Sequence, residues 1–190
     1  GAFKNEITPV TFQTRKGEMT FSVDEQPVNA KIDKIPSLRP AFAKDGTITA
    51  ANSSSISDGA AALVLMREAD AIAQGATPLA RVVGHATHSM EPALFTVAPV
   101  GAMTKLLAKL GWDKNDVDLW EINEAFAMVT MLAVKEMGLD EAKVNVNGGA
   151  CALGHPIGAS GARILVTLIH ALKARGLKRG IASLCIGGGE

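Results

Sequence analysis

Net charge is missing from this chain: its 19 basic and 19 acidic side chains cancel over 190 residues. Nucleic-acid binding draws on a basic surface, so the balance gives no electrostatic support for such a partner. Cysteine is scarce too. The two cysteines cannot staple a chain of this size with disulfides, and their dissimilar contexts point to reduced thiols in a cytoplasmic setting. No stretch approaches the roughly 20 apolar residues that span a bilayer, and the first residues lack the basic-then-apolar order of a secretory signal. No membrane association is expected. The spacing Gly154-x3-Gly158-x2-Gly161 misses the dinucleotide pattern G-x-G-x-x-G, which sets a nicotinamide cofactor aside. Cys151, His155 and Cys185 offer one C-x3-H pair plus a distant cysteine and no fourth ligand, a poor zinc set. Neither metal nor cofactor is expected.

What is present is an ordinary globular composition, with 47% hydrophobic and 20% charged residues. The length allows one domain or one and a fraction. The chain starts at Gly1 and stops at Glu190, straight after a glycine triplet, so both ends are expected to be internal to something longer.

Along the chain, residues 7–13 and 19–23 predict a hairpin, and the proline-punctuated stretch 24–40 a lid-like loop region. The small polar run 47–59 reads as a groove lining or a plain loop. Beyond it the sequence predicts a strand at 60–66, a helix at 67–74 closed by Gly75, and a boundary at Thr77-Pro78. Strand and helix signals then alternate: strand 79–86, helix 100–110, strand 117–122, helix 124–137, strand start 144–146, helix 159–175 and strand 181–186. Helix 124–137 is apolar nearly all round and is expected to be buried. The alternation predicts an α/β fold with an at least partly parallel sheet.

Three polar islands interrupt the apolar segments. In Glu121-Ile-Asn123-Glu124-Ala125-Phe126, Asn123 is either a helix cap or an amide aimed at a cleft, where it would hold a water or donate to an oxyanion. In the run from Asn147 to Gly161, five glycines surround His155, and Pro156 biases His155 toward extended backbone. That histidine is either bonded to backbone or an acid/base held between a strand and a helix. In Cys185-Ile-Gly-Gly-Gly189, the cysteine is either inert core or a thiol delivered at a strand's carboxyl end beside bare backbone. All three islands follow strands, and doubly wound sheets bring such ends to one edge. A thiol, an imidazole and an amide together fit acyl transfer or carbon–carbon chemistry on a thioester. His85, His88 and His170 have no comparable partners and read as structural.

Asn123-Glu-Ala-Phe126, Gly154-His155-Pro-Ile-Gly158 and Cys185-Ile-Gly-Gly-Gly189 resemble, in order, the three carboxy-terminal motifs of the thiolase family of acyl-CoA C-acyltransferases, and Asn52 to Ala61 resembles its loop preceding that half. The resemblance covers essentially the whole chain and implies a thiolase-like α/β fold of duplicated βαβαβαββ halves. Residues 1–56 would end the CoA-binding loop domain, 57–76 would complete the amino-terminal half, and 77–190 would form the carboxy-terminal half without its last strand. It further implies His155 as the base that activates an acylated cysteine nucleophile, and Cys185 as the acid/base at the substrate α-carbon or the leaving CoA thiol. Asn123 would hold a water that forms one oxyanion hole with His155, and the Gly187 N–H would serve a second. Ser54 would contact the pantetheine arm, with Phe126 and Phe95 as apolar walls.

Acyl-CoA and CoA would then be substrates, with no separate cofactor, in a homodimer or homotetramer. Two departures from the family pattern stand out. The family's nucleophilic cysteine belongs upstream of Gly1, so the 190 residues alone are expected to be inactive, with Cys151 serving as packing. The arginine that often follows an Asp-Glu pair near the CoA adenine is missing after Asp24-Glu25, leaving Lys31 as a substitute. The alternative is a catalytically silent thiolase-like module that binds acyl-CoA or lipid or serves assembly.

Overall fold

The computed structural model describes residues 1–190. The β-branched and aromatic residues on either side of Gly17 form the expected hairpin, β1 (Val10–Thr14) pairing antiparallel with β2 (Gly17–Phe21). Gly17 makes the turn at a φ of 113°, which a side chain would strain. Phe12 stacks on Phe21 with ring centroids 5.3 Å apart. A one-turn helix, α1 (Glu25–Asn29), is capped by Asp24, and a 3-10 turn spans Ile32–Ser37; neither buries a residue.

After α2 (Glu68–Ala73), two expected strands fail to form ladders. Residues 60–66 and 79–86 make no backbone–backbone hydrogen bond, and Val64 and Leu79 are 87% and 62% exposed. Strand-like composition needs a partner edge, and no strand of these residues pairs with either segment. The second segment lies instead along α3 (Ala98–Leu110), where Lys105 Nζ donates to the Thr87 carbonyl at 3.3 Å and Lys109 Nζ to the His85 carbonyl at 3.2 Å.

With the 3-10 turn before it, Pro92–Leu110 is long and apolar enough to cross a bilayer, at a mean hydropathy of 1.4, contrary to the expectation that no stretch would be. One face of it packs: Met103 and Leu107 sit in the main apolar cluster with Trp120, Ile122 and Val129.

The central element is β3 (Leu119–Ile122), all four residues of which are buried. α4 (Ala127–Met137), α5 (Ala150–Leu153) and α6 (Ser160–Arg175) follow, and the chain returns to β4 (Gly180–Ser183), parallel to β3 with Leu119 opposite Gly180 and Ile122 opposite Ser183. Alternation along β3 sorts its side chains. Trp120 and Ile122 join the cluster with α3 and α4, while Leu119 packs with Leu168 and Ala171 of α6. Burying each such side chain contributes about 1.5–3 kcal/mol.

Gly111, Gly138 and Gly176 close α3, α4 and α6 with left-handed φ of 65°, 59° and 67°. α4 starts after Phe126, later than expected, and buries only Val129 and Ala133 while Met131 is 68% exposed. Its apolar surface exceeds what the rest of the chain covers, so the expectation of full burial fails.

On the other side of β3, Val144 forms an isolated parallel bridge with Trp120, and Asn145 completes the pairing with its side chain. Asn145 Oδ1 accepts from the Ile122 N–H and Nδ2 donates to the Ile122 carbonyl, both at 2.8 Å. Its φ of 45° is the only positive one outside glycine. Asn145→Gly keeps that backbone geometry but strips the Ile122 N–H of its partner and leaves the Ile122 carbonyl with Thr130 Oγ1 alone, and should lower stability by about 1–3 kcal/mol. Denaturant unfolding equal to wild type would show that the side-chain pairing carries nothing.

Glu121, 2% exposed, faces α6 with Oε2 4.0 Å from Arg163 Nη1 and Oε1 unpartnered. Burial pushes its carboxyl up to about 7 against the opposing pull of Arg163. A carboxyl raised on folding contributes stability that is complete below its unfolded value of 4.5 and is lost as pH climbs through about 7. Glu121→Gln should therefore flatten the decline of stability between those two values, measured as thermal midpoint against pH, and an unchanged slope would refute the assignment. The raised carboxyl of Glu6 acts in the same direction and the lowered His155 in the opposite one, so the difference from wild type isolates Glu121.

Candidate functional site

The parallel register of β3 and β4 sets two of the three islands side by side. The Asn123 N–H donates to the Ser183 carbonyl at 2.9 Å, so Asn123 leaves β3 where β4 runs on to Cys185. Asn123 does not cap α4, because Phe126 occupies that position. Its side chain, 1% exposed, turns instead to the third island, placing Nδ2 3.3 Å from His155 Nε2.

His155 is held from several directions. Its N–H donates to the Ser55 carbonyl at 2.9 Å, tying the loop to the small polar run. Gly154, at a φ of 88°, lies so near the Ser57 hydroxyl that a Cβ would overlap it. Further back, the Glu124 carboxylate accepts from the Cys151 N–H at 3.0 Å and from Asn145 Nδ2 at 3.3 Å, and leaves no room for a Cβ on Gly149. The ring itself meets Ser160 Oγ at Nδ1, 2.5 Å away, and Ser160 Oγ donates onward to the Pro156 carbonyl at 3.0 Å. Burial, with the charge of Arg163 adding to it, lowers the pKa of His155 from its ordinary 6.5, so the imidazole is neutral near pH 7 and able to accept a proton.

Cys185 lies in the main apolar cluster, and burial raises its thiol above the ordinary 9.0, opposed by its own backbone N–H. The thiolate that a resting base would require is therefore disfavoured. Desolvation outweighs the local donors. Cys151 is further displaced, pushed up to about 12 by burial and by Glu124. It is chemically quiet, in keeping with a packing role.

In the glycine triplet, Gly188 and Gly189 carry the left-handed φ of 115° and 106°, and the Gly189 carbonyl accepts from the Met90 N–H at 2.8 Å. Gly187 is exposed and its N–H has no partner in the chain, leaving a donor free at the site's edge. Phe126 meets Phe95 edge-on at 6.5 Å and Phe42 at 6.2 Å, so both expected apolar walls come together with a third. Ser54 is placed beside them, its hydroxyl donating to the Ala125 carbonyl at 2.9 Å. Lys31 is exposed at the start of the 3-10 turn.

Sequence reasoning missed Glu121, Glu124, Ser160, Arg163 and Phe42. A carboxylate between Trp120 and Ile122 in a buried strand was the available signal for the first; the others read as ordinary helix or loop residues. A cavity of about 620 Å³ flanks the His155 loop, lined by Glu6, Gly154, Pro156, Arg163 and Thr167, and excludes Asn123, His155 and Cys185. No three His, Cys, Asp or Glu side chains are grouped to hold a metal ion.

Comparison with known proteins agrees with this arrangement. The family model described as thiolase, C-terminal domain matches residues 76–190, and that described as thiolase, N-terminal domain matches residues 1–69. The acetyl-CoA acetyltransferase of Escherichia coli (strain K12) is 55% identical over 191 residues, covering 100% of this chain and 48% of that protein. That of Pseudomonas aeruginosa is 50% identical over 192 residues, covering 100% and 49%. The crystal structure of the Bacillus anthracis acetyl-CoA acetyltransferase superposes with a TM-score of 0.95 at 50% identity, covering 100% of this chain and 48% of that one. Human mitochondrial 3-ketoacyl-CoA thiolase in complex with CoA superposes at 0.88 and 40% identity, covering 100% and 47%. The chain spans about half the length of the curated relatives it matches. With both family models matched in order and the three motifs folded to one sheet edge, the chain belongs to the thiolase family.

Proposed function

We propose that this chain is part of an acyl-CoA C-acyltransferase that condenses two acyl-CoA thioesters or cleaves a 3-oxoacyl-CoA with CoA. The observation that carries the proposal is the 3.3 Å approach of Asn123 Nδ2 to the neutral His155 Nε2, at the edge where β4 delivers Cys185. The names of its relatives support acetyl-CoA as the acyl donor, and the CoA complex of one structural relative supports CoA binding.

On this reading the nucleophilic cysteine comes from outside the 190 residues, because Cys151 is held as a thiol and Cys185 has another role. The incoming thiol loses its proton to His155 Nε2 as its sulfur bonds to the thioester carbonyl carbon, and the bond from that carbon to the CoA sulfur breaks. The leaving CoA sulfur takes the proton of Cys185, which becomes a thiolate. In condensation that thiolate removes an α-proton from the second acyl-CoA, and the enolate carbon bonds to the acyl-cysteine carbon. The carbon–sulfur bond breaks and the cysteine sulfur recovers its proton from His155. Developing oxyanions would be met by a water held on Asn123 with protonated His155 at one position and by the free Gly187 N–H at the other. A thiol kept protonated by burial suits the donor role first and the base role second. Ser54, Phe126 and Phe95 would bound the pantetheine channel, and Lys31 the adenine side. The reading extends to a cytoplasmic homodimer or homotetramer, for which the two free cysteines support the reducing setting.

In the full reading frame, Cys185→Ala should abolish α-proton exchange while leaving acylation of the nucleophile intact, and unaltered exchange would remove the assignment. His155→Ala should slow acylation by about 10²- to 10⁴-fold. Because His155 is lowered from 6.5, the acidic limb of the acylation rate should fall below that pH. A limb at or above it would contradict the neutral imidazole. The 190 residues alone should show no thiolysis of acetoacetyl-CoA.

A further inference from the structure

His155 can act as a base at Nε2 only if its single proton sits on Nδ1, and nothing in an isolated imidazole favours that tautomer here. The surrounding hydrogen bonds decide it; the Ser160 hydroxyl can turn either to the Pro156 carbonyl or to Nδ1, so the end that admits no choice is Arg163. Arg163 Nη2 donates to Asn123 Oδ1 at 3.4 Å. A guanidinium only donates, so the Asn123 oxygen must face it and the Asn123 NH₂ must face His155. That NH₂ only donates in turn, so the Nε2 it meets at 3.3 Å must be bare. The ring proton is left on Nδ1, where it meets Ser160 Oγ, and the Ser160 hydroxyl passes its own proton to the Pro156 carbonyl, which only accepts. The chain runs in one direction from a group that cannot accept to a group that cannot donate.

Arg163 is an unusual residue to spend on this. Its side chain is 18% exposed, and Nε and Nη1 are buried without partners, so the bond to Asn123 is the one its guanidinium makes. Glu121, unpartnered at Oε1, faces it from β3 at 4.0 Å; burial lowers the pKa of Arg163, and the charges of Glu121, Glu6, Glu124 and Asp24 oppose that shift. A buried cation with unmade hydrogen bonds destabilises a fold. Its geometry accounts for its presence through the oriented amide.

We propose that Arg163, held by Glu121, is a positioning residue that fixes the Asn123 amide and through it the Nδ1–H tautomer of His155. The role rests on the thiolase reading for its catalytic consequence, but the tautomer itself is observable without turnover.

The test uses the protein from the full reading frame, with histidine side-chain ¹⁵N shifts to read the His155 tautomer and steady-state kinetics with acetoacetyl-CoA and CoA. In Arg163→Met the amide is free to turn its oxygen toward His155, which stabilises the Nε2–H form. The Nε2–H signal should grow, and kcat should fall by about 10- to 100-fold with KM within about twofold, as for a misaligned rather than an absent group. Arg163→Lys, another group that only donates, should recover part of the loss. Arg163→Gln, whose amide donates and accepts, should not; it also carries the test if the methionine variant fails to fold. A wild-type tautomer in Arg163→Met or Arg163→Gln overturns the proposal, as does a kcat within twofold of wild type. If the wild-type protein lacks thiolysis yet shows the Nδ1–H tautomer and loses it in these variants, the thiolase reading fails and the positioning role stands.

Discussion

The pairing of β3 with its two neighbours is the constraint on which the rest depends. Four residues, all buried, meet β4 in parallel register on one side and the Val144–Asn145 corner on the other. A parallel pair brings both carboxyl ends to the same edge, so Asn123 and Cys185 emerge together although 62 residues separate them in sequence. Asn145 finishes the other side with a side chain in place of a strand residue. The same asparagine touches Glu124, which pins the turn toward His155. Stability of the sheet and placement of the imidazole are thus one set of contacts.

The site is also organised by direction. Each hydrogen bond from Arg163 to the Pro156 carbonyl leaves its neighbour one choice, which replaces the freedom of two ambiguous groups, an amide and an imidazole, with a single arrangement. Burial raises the Cys185 thiol and lowers His155, so both candidate groups rest uncharged. A low-dielectric edge with neutral reactants strengthens any donor aimed at a charge formed later.

Part of the molecule presents apolar surface that these residues do not cover. Residues 60–66 and 79–86 lack ladder partners, and α4 leaves Met131 exposed despite its apolar circumference. Composition encoded strands and a buried helix correctly as tendencies. A ladder and a buried face each require a second surface, which composition of the segment alone does not supply.

By itself the sequence determined the hairpin, the three glycine-closed helices, the α/β alternation from residue 100 onward, and the three islands of the candidate site. These are local matters: turn geometry at Gly17, left-handed caps at Gly111, Gly138 and Gly176, and apolar periodicity over a few turns. Only the tertiary structure decided that Asn123 is not a cap but faces His155, that burial raises the Cys185 thiol, and that Glu121, Ser160 and Arg163 lie against the candidate site. Each of those outcomes depends on what lies across a strand or a helix at long sequence separation. Desolvation and hydrogen-bond direction are properties of that assembled surround, and no spacing along the chain encodes them.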